Sequence, residues 1–200
     1  MKSITPELAE ILGLLCAEGS YILSFPSYWG KDKGKKRFYK NHKSERIEFS
    51  NKDKKLLDHF QSLIQIQYGY KPNITKHSKI NLCRRTIIKD ILDYTELGCF
   101  SWCVPNEILS SEIEIKIKFL RGFFDGDGTA SNIARFFSTN KDGLIQVNSL
   151  LNELNIKSTF LGPYKKEGRK PYYVIQISRT EKENFLNIIK PISKRPDLRG

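Results

Sequence analysis

Acidic residues are in short supply. Twenty-two Asp and Glu face thirty-four Lys and Arg, which leaves a net charge of +12 and a pI near 9.5 over 200 residues. Such an excess suits a polyanion, with nucleic acid ahead of an anionic membrane surface. Long apolar runs are missing too, since none approaches the roughly 18 residues that span a bilayer. The opening MKSITPELAE has no uninterrupted apolar segment and no small-residue cleavage site, so the expected location is intracellular, in the cytoplasm. A membrane-surface protein would need a basic amphipathic helix with apolar anchors, whereas the densest basic cluster here is Gly- and Lys-rich, so no membrane partner is expected. Cysteine and histidine are sparse: Cys16, Cys83, Cys99 and Cys103, with His42, His59 and His77. Cys99 and Cys103 have no second pair, so a structural zinc is not expected, and the thiols are read as free and buried or half-buried. No Gly/Ser- or Pro-rich linker divides the chain.

What the chain does contain is a doubled pattern. Residues 122–130 read GFFDGDGTA, two aspartates among three glycines, and residues 13–21, GLLCAEGSY, are a paler copy. Thr5, Pro6 and Glu7 mark a helix start, with a capping hydroxyl, a proline where no N–H is needed and an acid in the first turn. Apolar residues at Leu8, Ile11, Leu12 and Leu15 carry that helix to about Glu18. Ser111 and Glu114 form a capping-box pattern ahead of Ile113, Ile117, Leu120 and Phe124, which predicts a second helix ending near Asp125. In both helices a glycine stands five residues before an acid, Gly13 before Glu18 and Gly122 before Asp127, and another glycine follows the acid. Glycine inside a helix costs about 1 kcal/mol against Ala, so two in register signal two backbones that cross closely.

The likeness continues beyond the helices. Strand patterns reach Phe49-Ser50 and Phe137-Ser138, and a gapless comparison at an offset of 88 pairs Leu56 with Leu144, Leu57 with Ile145 and Leu63 with Leu151. Alternating runs at Ile80–Cys83 and Ile175–Ser178 follow at an offset of 95. The order expected in each half is helix, two strands, helix, two strands, helix. This describes a mixed α/β (α+β) chain of two pseudo-symmetric halves, residues 1–108 and 109–200, in one compact monomeric body. The main asymmetry is an insertion, residues 30–43 (GKDKGKKRFYKNHK), with seven Lys or Arg and one acid, Asp32.

Crossed helices of this kind bring Glu18 and Asp127 together at two helix C-termini, where each helix already presents about half a negative charge and unpaired carbonyls. A cation belongs between them. Carboxylate and carbonyl oxygens, completed by water and a substrate phosphate, suit Mg²⁺ or another divalent cation, which can activate water and stabilise the charge of phosphodiester cleavage. A single acid-glycine pair reads as a solvated acid beside a C-cap. Its recurrence at the same point of an internal repeat favours a shared site. Asp125 fails that test, because its counterpart is Cys16, no ligand for a hard cation, and it is assigned to local hydrogen bonding.

Residues 12–19 (LGLLCAEG) and 120–128 (LRGFFDGDG) resemble the two signature motifs of LAGLIDADG homing endonucleases in their single-chain form, encoded by introns or inteins. Residues 104–108 (VPNEI) are similar to the segment that leads into the second motif, so the resemblance spans nearly the whole chain. It implies motif helices at the interface of two halves, antiparallel sheets forming a saddle over duplex DNA, and cutting of both strands across the minor groove of a long site, one strand per acid. It implies metal held by Glu18 with the Ala17 carbonyl and by Asp127 with the Gly126 carbonyl. Polar residues ordering water at the scissile phosphates would be Asn51 in the first half and Thr139 or Asn140 in the second. A lysine that members often carry before the Val-Pro segment is replaced by Trp102 and Cys103, and Lys194 is the candidate to supply its equivalent. Two rivals share the fold, a maturase bound to intron RNA and a non-cleaving DNA-binding regulator. Acids in both motifs favour cleavage.

Alternation along strands then assigns candidate DNA contacts. Ile80 and Leu82 point inward, leaving Lys79, Asn81, Cys83 and Arg85, with neighbouring Arg84, for the groove. Ile47 and Phe49 point inward, leaving Arg46, Glu48 and Ser50. Gln176 and Ser178 alternate with Ile175 and Ile177, with Arg179 next and Tyr172 at the edge. The register of Ala134–Ser138 stays open, because Arg135 shares the parity of Phe137. Lys33, Lys35, Lys36 and Arg37 in the insertion, and Lys165, Lys166, Arg169 and Lys170 in a later loop, are read as basic arms at the same hairpin position or its edge.

Overall fold

The computed structural model describes residues 4–193. In chain order the first half runs α1 (Pro6–Glu18), β1 (Gly19–Ser24), β2 (Tyr28–Asp32), β3 (Lys35–Tyr39), β4 (Ser44–Ser50), α2 (Lys54–Tyr68), β5 (Lys79–Leu82) and α3 (Arg85–Leu92). A short α4 (Asn106–Leu109) straddles the expected division at 108/109 and leads to α5 (Ile113–Asp127), β6 (Gly128–Thr129), β7 (Arg135–Ser138), α6 (Lys141–Glu153), β8 (Ser158–Tyr164), β9 (Tyr172–Ile177) and α7 (Lys182–Ile189). Antiparallel sheets in the orders β1-β4-β5 and β6-β7-β9-β8 belong to the two halves, and β2-β3 stands apart as a ribbon.

The two motif helices pack on each other, and the glycines explain how. A Cβ at Gly13 would strike the Phe119 carbonyl oxygen and lie 2.9 Å from the Phe123 nitrogen. One at Gly122 would strike the Glu10 carbonyl oxygen and lie 2.9 Å from the Leu14 nitrogen. Around this contact Leu8, Ile11, Leu12, Leu15, Phe119, Leu120, Phe123 and Phe124 are all buried, each such side chain contributing about 1.5–3 kcal/mol. The start of α1 follows its sequence signals, with Thr5 Oγ1 accepting from the Leu8 N–H at 3.1 Å.

α5 departs from its signals at both ends. It runs to Asp127 rather than Asp125, its cap is Glu112 without a side-chain bond, and Ile113 is exposed. The expected capping box does not form because the Ser111 hydroxyl donates to the Glu107 carbonyl and closes α4 instead.

Each motif helix passes directly into a strand. Gly19 and Gly128 have φ of −88° and −94°, extended rather than left-handed, so they are not the C-caps that a lone acid-glycine pair suggests. A Cβ on Gly19 would lie 2.8 Å from Leu15 Cα, and one on Gly128 would run into the Phe124 ring. These glycines make room for a chain that turns from helix to sheet without a loop.

The internal repeat is in place at a corrected offset. Buried residues on α2 are Leu56, Leu57, Phe60, Leu63 and Ile64, and on α6 they are Gly143, Leu144, Val147, Leu150 and Leu151. These sets superimpose at 87, not 88, and Ile145, which an offset of 88 pairs with buried Leu57, is exposed. The strands agree: Ile47 and Phe49 correspond to Ala134 and Phe136, all fully buried, which settles the β7 register with Arg135 and Phe137 turned outward. The offset of 95 between β5 and β9 stands, because Phe49 pairs with Ile80 as Phe136 pairs with Ile175. In the first half the expected second hairpin keeps only one full strand. Its partner is reduced to an isolated bridge from Ile74 to Ile80, where Pro72 supplies no N–H for a ladder.

A buried ionic cluster ties α2 to both motif helices. Glu10 is 1% exposed and accepts from Arg121 Nε at 2.7 Å and from a second Arg121 nitrogen, with His59 Nε2 at 2.6 Å. Burial is the largest single influence and pushes the Glu10 carboxyl up, but the bonds from His59 and Arg121 outweigh it and hold it below its ordinary 4.5. An acid depressed in the native state adds stability above its unfolded pKa that drains away as pH falls through the native value. The melting temperature should therefore fall below about pH 4.5. Glu10→Gln should flatten that acid limb and, at pH 7, cost about 3 kcal/mol by leaving Arg121 without its partner, or roughly 6–12 °C in a thermal melt. An unchanged acid limb in the variant would exclude this role.

Candidate functional site

Glu18 and Asp127 are the last residues of α1 and α5, and the close packing of the two helices carries them to one place. The link runs through their predecessors: a Cβ on Gly126 would strike the Ala17 Cβ and lie 3.2 Å from Glu18 Cγ. The backbones of Ala17 and Gly126 thus face each other beside the two carboxylates, at helix ends whose final carbonyls have no intrahelical donor. Among the described residues no group of three or more His, Cys, Asp or Glu side chains could hold a metal alone. The donors present are hard oxygens, two carboxylates plus helix-end carbonyls. They fit a Mg²⁺-like ion that takes its remaining ligands from water and phosphate.

In the first half, Asn51 follows β4 and its Nδ2 donates to Glu18 Oε1 at 3.5 Å. Its Oδ1 accepts from the Asp53 N–H at 2.9 Å, which fixes the amide and aims its NH₂ at the carboxylate. In the second half a cleft of about 250 Å³ beside Asp127 is lined by Cys16, Ala17, Cys99, Trp102, Phe137, Ser138, Thr139 and Tyr172. Asn140 is not in it. It is 6% exposed and caps α6, accepting from the Gly143 N–H at 3.1 Å and donating to the Trp102 carbonyl, so its polar atoms are engaged in holding the fold. The same cap in the first half is Asp53, and Ser138 Oγ accepts from the Asn140 N–H as Asn51 accepts from Asp53. The counterpart of Asn51 is therefore Ser138. Thr139, the other alternative, donates to the Cys99 carbonyl at 2.8 Å and lies at the cleft wall. Lys194 lies outside the described residues.

Asp125 is 1% exposed and does not line the cleft. It accepts from the Ile192 and Ser193 N–H groups at 2.9–3.0 Å, so its bonding is long-range in sequence rather than local, and it anchors the segment after α7. Burial, the largest influence, raises its carboxyl above the ordinary value.

Residues 114–190 match the family model of a LAGLIDADG-like domain. Solved structures agree over the whole chain: variants of the homing endonuclease I-DmoI align at a TM-score of 0.65, with 20% identity over 94% of this chain and 97% of theirs. Residues 114–190 are thus similar to a LAGLIDADG-like domain, and the chain shares its fold with I-DmoI. I-DmoI in complex with DNA and Ca aligns at a TM-score of 0.63, with 20% identity over 94% of this chain and 91% of that one. The N-terminal LAGLIDADG domain of DUF199/WhiA aligns at 0.55, with 16% identity over 94% of this chain and 86% of its own. By sequence, a DNA polymerase of Methanocaldococcus jannaschii is 28% identical over 94% of this chain, and one of Thermococcus kodakarensis 23% identical over 84%. The chain spans only 11% and 10% of those two polymerases.

The outward faces of the two sheets carry most of the expected contacts. Arg46, Glu48, Lys79 and Asn81 are half-buried on β4 and β5, and Lys79 Nζ bonds Glu48 Oε1 at 2.7 Å. The Asn81 Oδ1 is buried without a hydrogen-bond partner. The equivalent cross-strand pair in the second half is Arg135 and Gln176, joined by an Nε to Oε1 bond of 3.0 Å. Arg135 is a functional candidate that sequence parity alone left open, and the pattern of Glu48 and Asn81 transferred at 87 and 95 would have found it.

Three expectations change. Arg84 and Arg179 lie past the ends of β5 and β9, where strand alternation has stopped and helical turns begin. Arg84 stacks 3.9 Å from the Tyr70 ring in a cleft with Leu8, a full ten residues or about 15 Å along α1 from Glu18. Arg179 is exposed and opens a 3₁₀ turn, and Arg85 is the first residue of α3, 3.9 Å from Glu45. The two basic arms also sit in non-equivalent hairpins. Lys33, Lys35, Lys36 and Arg37 are exposed on the ribbon between β1 and β4, whereas Lys165, Lys166, Arg169 and Lys170 are exposed between β8 and β9, with Lys170 Nζ 4.0 Å from the Phe100 ring centre. Finally, the cysteines are free as expected, but only Cys16 is buried, where desolvation drives its thiol pKa well up.

Proposed function

We propose that this chain is a divalent-metal-dependent endonuclease that makes a double-strand break at a specific site in long duplex DNA, working as a monomer with halves 1–108 and 109–200. The observation that carries this reading is the convergence of Glu18 and Asp127 at the ends of two glycine-packed helices, next to sheets whose outward faces and arms are basic. Glu18 and Asp127, with the Ala17 and Gly126 carbonyls, would hold Mg²⁺ or a similar ion. Such an ion, when bound, lowers the pKa of water and offsets charge on the phosphate. The chain's own residues do the rest. Asn51 orients Glu18 and presents an amide beside it, Ser138 and Thr139 offer hydroxyls at the Asp127 cleft, and Arg46, Glu48, Lys79, Asn81, Arg135 and Gln176 face the groove. The endonuclease I-DmoI, a neighbour in fold, has been crystallised with DNA and either Ca or Mn, which supports a DNA partner and a divalent ion here. Nothing comparable supports intron RNA. A segment that matches a tenth of each polymerase chain is what an intein-borne insertion would leave, which favours the intein over the intron as the host element.

The test is incubation with a randomised duplex library in Mg²⁺ and sequencing of the new ends. The proposal predicts paired breaks at a shared motif, lost in EDTA. Retention of duplex without breaks at any metal concentration would instead make the chain a DNA-binding module on this fold. Binding should also weaken steeply with salt. Replacing Lys33, Lys35 and Lys36 by Ala should lower the log-log salt slope by up to about 3, near 0.9 per phosphate contact removed, and an unaltered slope would take the ribbon off the DNA.

A further inference from the structure

The ribbon β2-β3 has two unlike faces. On one, Tyr28 and Tyr39 stack at 5.2 Å, His42 meets both edge-on, and Arg37 lies 5.6 Å over Tyr39 while bonding Asp32 at 3.2 Å. Those side chains satisfy one another. On the other face Trp29 and Phe38 stand directly opposite across the strands with ring centres 5.2 Å apart, 69% and 48% exposed. The next pair on that face is Lys31 and Lys36. The two-residue turn at Lys33-Gly34, with φ of 48° and 81°, sets this register and so places ring beside ring and lysine beside lysine.

Charge alone would not put two large rings in water. The insertion carries seven Lys or Arg against one acid, so its partner is a polyanion, and the rings need an apolar feature on that polyanion. A two-stranded ribbon fits the DNA major groove, and the apolar feature displayed there is the thymine C5 methyl. We propose that the Trp29–Phe38 face docks in the major groove of the target duplex and reads thymine through its methyl groups, with Lys31 and Lys36 holding adjacent phosphates. This inference rests on the duplex-DNA reading above. β1 carries the chain six residues, about 20 Å, away from Glu18 before the ribbon begins. At about 3.4 Å per step, the thymines lie roughly six base pairs or more from the cut.

The experiment uses the whole chain and a randomised duplex pool, selected for retention in EDTA so that nothing is cut. Wild type should enrich thymines in one flank, and Trp29→Ala/Phe38→Ala should lose that enrichment while keeping the central motif and its thermal melt. Replacing the flank thymines by uracil in the selected duplex should weaken wild type about fourfold per methyl, the worth of one buried carbon, and leave the double variant unchanged. Trp29 emission should shift on binding in wild type, and a Trp29→Phe variant should lack that shift. Equal flank enrichment by both proteins, or equal uracil costs, would overturn the inference and leave the endonuclease reading intact. Failure of wild type to retain any duplex would sink both.

Discussion

Glu18→Gln and Asp127→Asn should each lower double-strand cutting by at least about a hundredfold while duplex retention stays near wild type. Each change keeps the size of the side chain and removes one of the two charges at the paired helix ends, where no third acidic side chain among the described residues can take over. Neither residue lies on the strand faces assigned to the groove, so binding should survive. Because one acid terminates each helix, product that persists in a single variant should be nicked rather than linear. Cutting at wild-type rate in either variant, measured on supercoiled and linear substrate, would remove that acid from the reaction. The effect on Asn51→Ala should be smaller, since its Nδ2 meets Glu18 at 3.5 Å and orients the carboxylate rather than replacing it.

The second large effect falls on stability. Gly13→Ala and Gly122→Ala each place a Cβ against the backbone carbonyl of the opposite helix, Phe119 in one case and Glu10 in the other. A flexible side chain could move aside, but here two helix backbones must separate, along a face that includes Leu12, Leu15, Phe119 and Phe123. The expected cost is about 3 kcal/mol or more for each, at the upper end of overpacking, and a melting temperature lower by roughly 6–12 °C. Widening this contact also separates Glu18 from Asp127, so cutting should fall more than the folded fraction does. A melt within 2 °C of wild type, which is about 1 kcal/mol or less, would mean that the helices do not approach as closely as described.

The central geometry was legible because it rests on signals that only one arrangement satisfies. Glycines at matching positions inside two amphipathic helices cost stability unless backbones meet there, and acids five residues later are then carried to the same end. The alignment of the halves was less legible. An offset of 88 matches Leu56-Leu57 with Leu144-Ile145 by residue type alone. The true match at 87 puts Gly143 opposite Leu56, and Gly143 is buried because the Trp102 ring, from an unrelated segment, fills the space where a side chain would be. No periodicity within α6 carries that information. The one-residue slip moved the counterpart of Asn51 from Ser138 to Thr139, and one further residue of ambiguity brought in Asn140, which is a helix cap. Arg84 and Arg179 went astray for a simpler reason, since strand parity was extended past the last paired residue. The exposed pair Trp29 and Phe38 was out of reach because their adjacency depends on cross-strand register, set by a turn whose positive φ at Lys33 no residue type announces.

The most direct test of the account is Mn²⁺ binding followed by electron paramagnetic resonance, with the chain saturated by a retained duplex. Wild type should remove the free-ion signal in proportion to protein, and Glu18→Gln/Asp127→Asn on the same duplex should leave it unchanged. Equal loss of signal in both proteins would place the ion elsewhere and contradict a metal centre built on the ends of α1 and α5.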